Sequence, residues 1–566
     1  LIINHTRTRI SFVLIGLATL AAIAGSGCTA RDNPKSASKA IRLADETSTS
    51  GISYHWQLPA KRPLTILQTI GNGCAFLDYN NDGNLDILLV GPKLALYQGD
   101  GHGHFTDVTH QTGLDEVHGN FLGCAVGDYD NDGYEDIYLT AYRGGALLHN
   151  ERGKTFKDVT KEAGIAPQPW GTSASFADID CDGKLDLYIC DYVDFGPQTI
   201  PQFCGQGPLA TACSPQFYKP IKGVLYRNLG GGKFQDVTAA WGAQGVSGNA
   251  LGVAIADYEG FGRPGIAIAN DELRGDLLQN ALTGHNVKFQ NEGAASGTGY
   301  SESGNPQAGM GIDWGDYDND GKLDLAVTTF ESQTKPIYKQ TSPGAFDDES
   351  TDLGVTSVAR GYLSFGVKWA DFDNDGWLDL IIASGHTSDN VAQFEPDHTF
   401  LQPMLLFRNE NGRHFSDITA QSGAALTRPI LGRGLAVGDY DNDGRVDVLV
   451  VDSSGAPLLL HNETTSTGHW LEVNLVGTRS NRDGIGALLM ADTGGRKFTQ
   501  LCHTDGSYMS ASDKRVHFGL ADAASIQSLT VHWPSGHIDV YRNVAADQII
   551  TLKEGSTAVG GGGETK

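Results

Sequence analysis

Six nonapeptides concentrate oxygen-bearing side chains on short turns: DYNNDGNLD from Asp78, DYDNDGYED from Asp128, DIDCDGKLD from Asp178, DYDNDGKLD from Asp316, DFDNDGWLD from Asp371 and DYDNDGRVD from Asp439. Their common form, D-x-[DN]-x-D-G-x-x-D, places oxygens at positions 1, 3, 5 and 9. A glycine at position 6 permits the sharp turn. A backbone carbonyl at position 7 and water would complete a shell of hard oxygen ligands. The candidate ligands are Asp78, Asn80, Asp82, Asn84 and Asp86; Asp128, Asp130, Asp132, Tyr134 and Asp136; Asp178, Asp180, Asp182, Lys184 and Asp186. In the later copies they are Asp316, Asp318, Asp320, Lys322 and Asp324; Asp371, Asp373, Asp375, Trp377 and Asp379; Asp439, Asp441, Asp443, Arg445 and Asp447. The position-7 residue of each set contributes only its carbonyl.

Such a donor set argues against zinc or copper, which favour nitrogen and sulfur. Magnesium demands a stricter octahedron, so Ca2+ is the expected ion, about six per chain. An Asp-rich turn without metal is the competing account, but so many carboxylates within nine residues repel one another. A seventh copy, DYEGFGRPG from Asp257, has Phe261 at position 5 and Gly265 at position 9, so no metal is expected there. The six intact copies hold 24 of the 67 Asp and Glu residues in a chain of net charge −26. Much of the acidity is therefore assigned to metal loops, and the charge excludes DNA or RNA as a partner.

Each acidic loop sits between two strand-like runs, as in GCAFL (73–77) before Asp78 and ILLV (87–90) after it. A third pattern follows (LLHN at 147–150, LYRN at 225–228, LFRN at 406–409), then a fourth (FTDVT, FKDVT, FQDVT, FSDIT). Four short strands per unit of about fifty residues is the signature of a propeller blade. The fourth pattern occurs once before the first loop, at Leu43, Asp45 and Thr47, and is missing after the last. The predicted fold is therefore all-β: a seven-bladed β-propeller over 41–465, closed by an N-terminal strand that completes blade 7. Residues 466–555 alternate apolar and polar residues and predict a small β-sandwich-like domain. Residues 556–566 read as a disordered tail.

Strand order puts the acidic loops on one face of the disc and the longest connections on the other. From position 9 to the end of the third strand, blades 3 and 6 use 42 and 30 residues against 12 to 16 elsewhere. The segment before blade 1 is also long. These segments carry His55, Trp56, Tyr192, Phe203, Phe217, His386, Phe394 and His398, the candidate ligand-face residues. Either they contact a ligand, as long loops on rigid scaffolds commonly do, or they pack against one another or the second domain.

The repeats resemble the FG-GAP/VCBS calcium-loop blades of integrin α-subunit propellers and bacterial surface proteins. HWLEVNLVGTRSNRDGIGA (469–487), SDKRVHFGLADA (512–523) and VHWPSG (531–536) resemble the ASPIC/UnbV domain. Together the two parts are similar to the cartilage acidic protein family and its bacterial relatives, over roughly 43–555. The resemblance implies calcium binding and an extracellular role in adhesion or matrix interaction, with no secure enzymatic activity. The stretch Leu501-Cys502-His503 departs from the plain strand expected there.

Residues 1–28 read as an export signal, with Arg7 and Arg9 before an apolar run and Gly25-Ser26-Gly27 before Cys28. Either Cys28 is lipidated as in a lipoprotein, at the cell surface or outer membrane, or cleavage is ordinary, after Ala24 for example, and the protein is periplasmic or secreted; an uncleaved anchor is the residual reading. Residues 29–40 read as a linker. Any membrane association is expected only through that lipid. Export permits disulfides, and Cys204 and Cys213, within one long segment, are the expected pair. Cys74 and Cys124 read as core positions, with an interblade disulfide as the alternative. His469, His503, His517, His532 and His537 accompany Asp505 and Ser507, but no G-x-S-x-G elbow is present. Two function classes remain. One is a calcium-stabilised binding or adhesion module for an extracellular protein or glycan; the other is a secreted carbohydrate-active lyase or hydrolase on the same scaffold.

Overall fold

The computed structural model describes residues 40–556, apart from 285, 466 and 467, together with 560–561. The expected export signal at 1–28, lipidation at Cys28 and linker residues 29–39 lie outside the described residues, as does most of 556–566. Gly560–Gly561 pair antiparallel with Gln548–Lys553. Among the described residues no helix is long and apolar enough to cross a membrane.

The chain is all-β. Seven innermost strands follow in order: Cys74–Leu77, Phe121–Gly127, Gln168–Ala177, Ala250–Ala256, Gly309–Gly315, Ser364–Ala370 and Gly432–Gly438. Each begins a four-stranded antiparallel unit, here called blades 1 to 7. Blades 2 and 3 join into one sheet because Gln168 and Trp170 pair with Gly144 and Tyr142 of an extended blade 2 strand. Blade 7 takes its outer strand from the start of the chain: Leu43 pairs with Asn462 and Asp45 with Leu460. That pairing ties the two ends of the ring, and the innermost strands of blades 7 and 1 also touch.

Both sides of each blade are buried, which is why the strands read as unbroken apolar runs. In ILLV, Leu88 and Val90 face blade 2 while Ile87 and Leu89 face blade 7. Seven apolar layers of this kind separate successive blades. Tyr258 stacks on Trp314, and Tyr317 on Trp369, within two of them.

The C-terminal domain is two four-stranded sheets around one apolar core that includes Leu471, Val473, Phe498, Leu529, Trp533 and Ile550. One sheet contains the parallel pair His469–Val476 and Gln548–Lys553. The domain and the propeller belong to a single compact unit. Between strands Lys497–Leu501 and Val516–Ala521, residues 502–515 leave the domain and run down the propeller axis. This is where the sequence departed from a plain strand.

The inserted segment bonds to every blade. Cys74 N–H donates to Ser510 Oγ at 3.1 Å and Cys124 N–H to the Met509 carbonyl at 3.0 Å. Met509 N–H donates to Ser173 Oγ at 2.9 Å. Ser175 Oγ and Ile255 N–H both donate to Asp505 Oδ2, at 2.5 and 2.9 Å. Ile312 N–H donates to the Ser507 carbonyl at 3.0 Å, and Val367 N–H to Ser507 Oγ at 3.3 Å. Val437 N–H donates to Ser512 Oγ at 3.2 Å. A propeller's innermost strands otherwise leave one backbone edge to water; here a second domain satisfies part of it. Gly73 permits the approach, since a Cβ there would lie 1.7 Å from the Met509 carbonyl oxygen. His503, Asp505 and Ser507 are thus bonded within the plug and its walls, and His503 Nδ1 lies 3.0 Å from Asp505 Oδ1.

Candidate metal centres and the opposite face

The acidic loops share one local geometry. The position-1 carboxylate accepts the N–H groups of positions 5 and 6, as Asp128 does from Asp132 at 3.0 Å and Gly133 at 2.7 Å. Position 4 is left-handed, with φ from 55° to 62° at Asn81, Asn131, Cys181, Asn319, Asn374 and Asn442. Asparagine tolerates that region, which explains its recurrence. The position-9 carboxylate accepts the position-2 N–H and an N–H of the third strand: Asp86 takes Tyr79 at 3.1 Å and Gly99 at 2.9 Å.

Carboxylates therefore converge. One oxygen each from Asp128, Asp130 and Asp132 lie within 4.8 Å of one another, as do those of Asp178, Asp180 and Asp182, and of Asp316, Asp318 and Asp320. Burial first, then the neighbouring carboxylates, push Asp86 and Asp324 up to about 9 and Asp178 and Asp316 to about 7. Such a set is incompletely ionised alone, and a hard divalent cation is the partner its chemistry fits.

The blade 4 copy is an internal control. Asp257 still accepts from Phe261 N–H at 3.0 Å and Gly262 N–H at 2.5 Å, so the turn forms without carboxylates at positions 5 and 9. Its one other acid, Glu259, is engaged by Gln279 at 2.7 Å and by Arg263. The intact loops carry negative charge that the turn itself does not require.

The sequence reading passed over three further sets of residues. The penultimate residue of the third-strand pattern overhangs its own loop. Arg227 meets Asp180 and Asp182, Arg408 meets Asp373 and Asp375, Lys339 meets Asp318, and Gln98 meets Asp82. His149 lies against Asp130 and Asp136, and His461 against Asp441 and Asp447. The asparagine that follows clasps the preceding blade: Asn228 Nδ2 donates to the Tyr129 carbonyl at 2.7 Å and its own Leu185 carbonyl at 3.0 Å. Asn150, Asn280, Asn409 and Asn462 repeat the clasp. On the rim, position 4 of one loop donates to the position-6 carbonyl of the next, as in Asn131 to Gly183 at 2.9 Å and Asn374 to Gly444 at 2.9 Å. The recurring R-N and H-N endings were the available signal.

Asn228 is 1% exposed. Asn228→Ala is expected to leave two buried carbonyls unpaired at a cost of about 2–3 kcal/mol. Calorimetry should show a melting temperature lower by about 2–3 °C, given the entropy of unfolding a chain this long.

The C-terminal domain lies against the acidic-loop face. Asp128 N–H donates to Asp483 at 2.8 Å, and Lys514 Nζ is 2.7 Å from Asp483 and 3.3 Å from Glu135. Arg496 donates to the carbonyls of Asp375 and Gly376, and Arg515 to the Asp439 carbonyl. The NRDG and SDKR stretches are thus docking residues.

On the opposite face the three long segments meet. Arg62 pairs with Asp389 at 3.0 Å, Asn390 Nδ2 donates to the Pro208 and Ala210 carbonyls at 2.9 Å each, and Thr211 bonds to Ser388 at 2.9 Å. The Cys204–Cys213 disulfide is formed, and Cys74 and Cys124 are free and buried. Three expected contact residues are interior instead. Trp56 is 4% exposed and donates to the Val90 carbonyl; Tyr192 and His386 are each 2% exposed, bonded to Asp271 and Glu331. Aromatic rings on long loops found apolar partners within the protein. Phe203 and His398 are half-buried, while His55, Phe217 and Phe394 are exposed. Ile200, Leu209, Phe217 and Phe394 are large apolar side chains left exposed on the tied segments. A cleft of about 830 Å³ along the first long segment is lined by Tyr54, His55, Leu67, Phe121 and Tyr142, with Asp107 its one carboxylate among the described residues.

Comparison with known proteins agrees with this architecture. The FG-GAP-like repeat model matches residues 78–139, 128–189 and 316–382, and the ASPIC and UnbV model matches 477–559. Cartilage acidic protein 1 of Homo sapiens is 25% identical over 521 residues, covering 85% of this chain and 71% of the relative. That of Xenopus tropicalis is 26% identical over 522 residues, covering 84% and 72%. Among solved structures, YCF48 from Cyanidioschyzon merolae aligns with TM-score 0.40 at 10% identity, covering 72% of this chain and 99% of that one. An Agrocybe aegerita lectin that recognises non-reducing terminal N-acetylglucosamine aligns with TM-score 0.39 at 13% identity, covering 69% and 94%. The chain is a β-propeller protein of FG-GAP-like repeats with an ASPIC/UnbV domain, homologous to cartilage acidic protein 1.

Proposed function

We propose that this is an exported calcium-binding protein whose ions are structural and whose role is to bind an extracellular protein or glycan through the face opposite the acidic loops. The observation that carries the binding reading is the set of large apolar side chains left exposed on the tied segments. Ile200 is 90% exposed, Phe217 60% and Leu209 49%, on loops fixed to one another and stapled by a disulfide. Rigid loops that expose large apolar side chains have the features of a recognition surface. The cleft lined by Tyr54 and Tyr142 supports binding over glycan cleavage, because a glycosidase sets two carboxyl groups across the scissile bond and Asp107 is the cleft's one carboxylate among the described residues. The donor set supports calcium, and the apolar run before Cys28 supports export.

The test is to probe glycan and extracellular-protein arrays with the full chain and with an Ile200→Asp, Phe217→Asp double variant. The reading expects array binding to fall at least tenfold in the variant while its melting temperature stays unchanged. Undiminished binding by the variant would remove the face from consideration.

A further inference from the structure

Two consecutive cations of the C-terminal domain, Lys514 and Arg515, reach different blades, and each is caught between two carboxylates. Lys514 Nζ lies 2.7 Å from Asp483 and 3.3 Å from Glu135. Arg515 lies 2.6 Å from Asp513 and 3.1 Å from Glu472. Both groups end on position 1 of an acidic loop. Asp483 accepts the Asp128 N–H at 2.8 Å in blade 2. In blade 7, Arg515 donates to the Asp439 carbonyl at 2.7 Å and to Asn442 Oδ1 at 2.6 Å. The fit to the blade 7 loop is close: a Cβ on Gly444 would lie 1.9 Å from the Trp470 ring, and His517 Nε2 is 3.2 Å from the Gly444 carbonyl.

These charges do not cancel. At blade 7 the domain brings Glu472 and Asp513 with a single Arg515, a net −1 set behind the loop's own carboxylates. Glu472 is 2% exposed, and Asp439 and Asp447 repel it. At blade 2, Asp483 is 4% exposed and repels Asp128, while Lys514 is shared with Glu135 and acts on Asp78 of the blade 1 loop. A buried carboxylate pressed against others is costly unless a cation lies among them. An ion held in the loop is such a cation. Blade 5 supplies the contrast, because its loop is intact and stands apart. Among the described residues no hydrogen bond or ion pair joins 316–324 to 469–555.

We propose that calcium binding in the blade 2 and blade 7 loops is thermodynamically linked to docking of the C-terminal domain, through Asp483 and Glu472, while the blade 5 loop binds its ion independently. The sign is positive. Each buried domain carboxylate attracts the ion beyond the pull of the loop's own ligands, and the ion removes the repulsion that docking creates. By reciprocity the domain tightens the ion by the same factor as the ion tightens the domain. At blade 6, Arg496 grips the Asp375 and Gly376 carbonyls with no ion pair of its own among the described residues, so no such link is assigned there. The inference rests on the calcium reading of the loops and not on the opposite face.

The test is hydrogen exchange of the full-length protein across a calcium titration, read separately at 128–136, 439–447 and 316–324. In Glu472→Gln the free calcium that half-protects 439–447 is expected to rise at least about fivefold, with the other two loops unmoved. In Asp483→Asn the same shift is expected at 128–136 alone. A reciprocal arm leaves the domain's own residues intact, should either variant misfold. With calcium in excess, Asp443→Asn should speed exchange at 511–521, where the Ala511, Asp513 and Ala521 N–H groups donate into the propeller, by at least about fivefold. Asp320→Asn, at the equivalent position of blade 5, should leave that exchange as in the parent. The inference is overturned by midpoints that stay put in both domain variants, by shifts shared equally among the three loops, or by parental exchange at 511–521 in Asp443→Asn. An absence of calcium-dependent protection at every loop would instead sink the calcium reading itself, and the link with it.

Discussion

Excess chelator is expected to lower the melting temperature of this protein by on the order of 10–15 °C. A site held at a hundred times its dissociation constant contributes about 2.7 kcal/mol, and six such sites act on one ring. The unfolding entropy of a chain this long converts each kcal/mol into about 1 °C. Without ions the acidic loops become a liability with a definite pH sign. Burial pushes Asp86 and Asp324 up to about 9 and Asp128 to about 8. These lie above an unfolded carboxylate near ~4. The folded chelated protein then binds more protons than the unfolded one between those values. Its stability must fall as pH rises from about 4 through 9. With calcium bound the same groups are neutralised by the ion and the slope should flatten. Scanning calorimetry at pH 5, 7 and 9, with calcium and with chelator, reads both effects. An unchanged melting temperature in chelator would contradict the metal reading.

Replacing residues 503–512 by a short Gly-Ser linker is expected to lower the melting temperature by about 10 °C and to split one unfolding transition into two. The segment makes roughly ten hydrogen bonds to the innermost strands, each contributing about 1 kcal/mol net. It is also the densest link between two bodies that otherwise meet at loop tips. A single substitution gives a sharper test. Asp505→Ala leaves the Ser175 hydroxyl and Ile255 N–H without their acceptor, and Lys368 loses the anchored backbone to which it donates at 3.2 Å. The cost should be about 3–5 kcal/mol, as for other broken buried charge networks. The variant melting with the parent's temperature and cooperativity would mean the insertion is passive.

The acidic loops, the blade rhythm and the closing strand were legible because each depends on local spacing repeated many times. The missing fourth pattern after blade 7 could be completed only by Leu43–Asp45. Cys204 and Cys213 were close enough in sequence to pair. Trp56, Tyr192 and His386 were misread because residue type on a long loop does not say which way the ring turns; their partners Val90, Asp271 and Glu331 lie 34 to 79 positions away. The inserted segment was invisible for a related reason. HTDGSYMSASD is small and polar and reads as a surface loop, yet its partners are inner-edge backbone groups up to 436 residues distant. The glycines five positions before six of the seven acidic loops (Gly73, Gly123, Gly252, Gly311, Gly366 and Gly434) mark positions where strands or the plug approach closely. Only the fold reveals what approaches them.

The most direct measurement is anomalous diffraction from crystals grown with calcium, collected at long wavelength so that each ion is counted and placed. The account predicts six peaks, one within each loop beginning at Asp78, Asp128, Asp178, Asp316, Asp371 and Asp439, and none at Asp257. Empty acidic loops, or an ion held by the blade 4 turn, would contradict it.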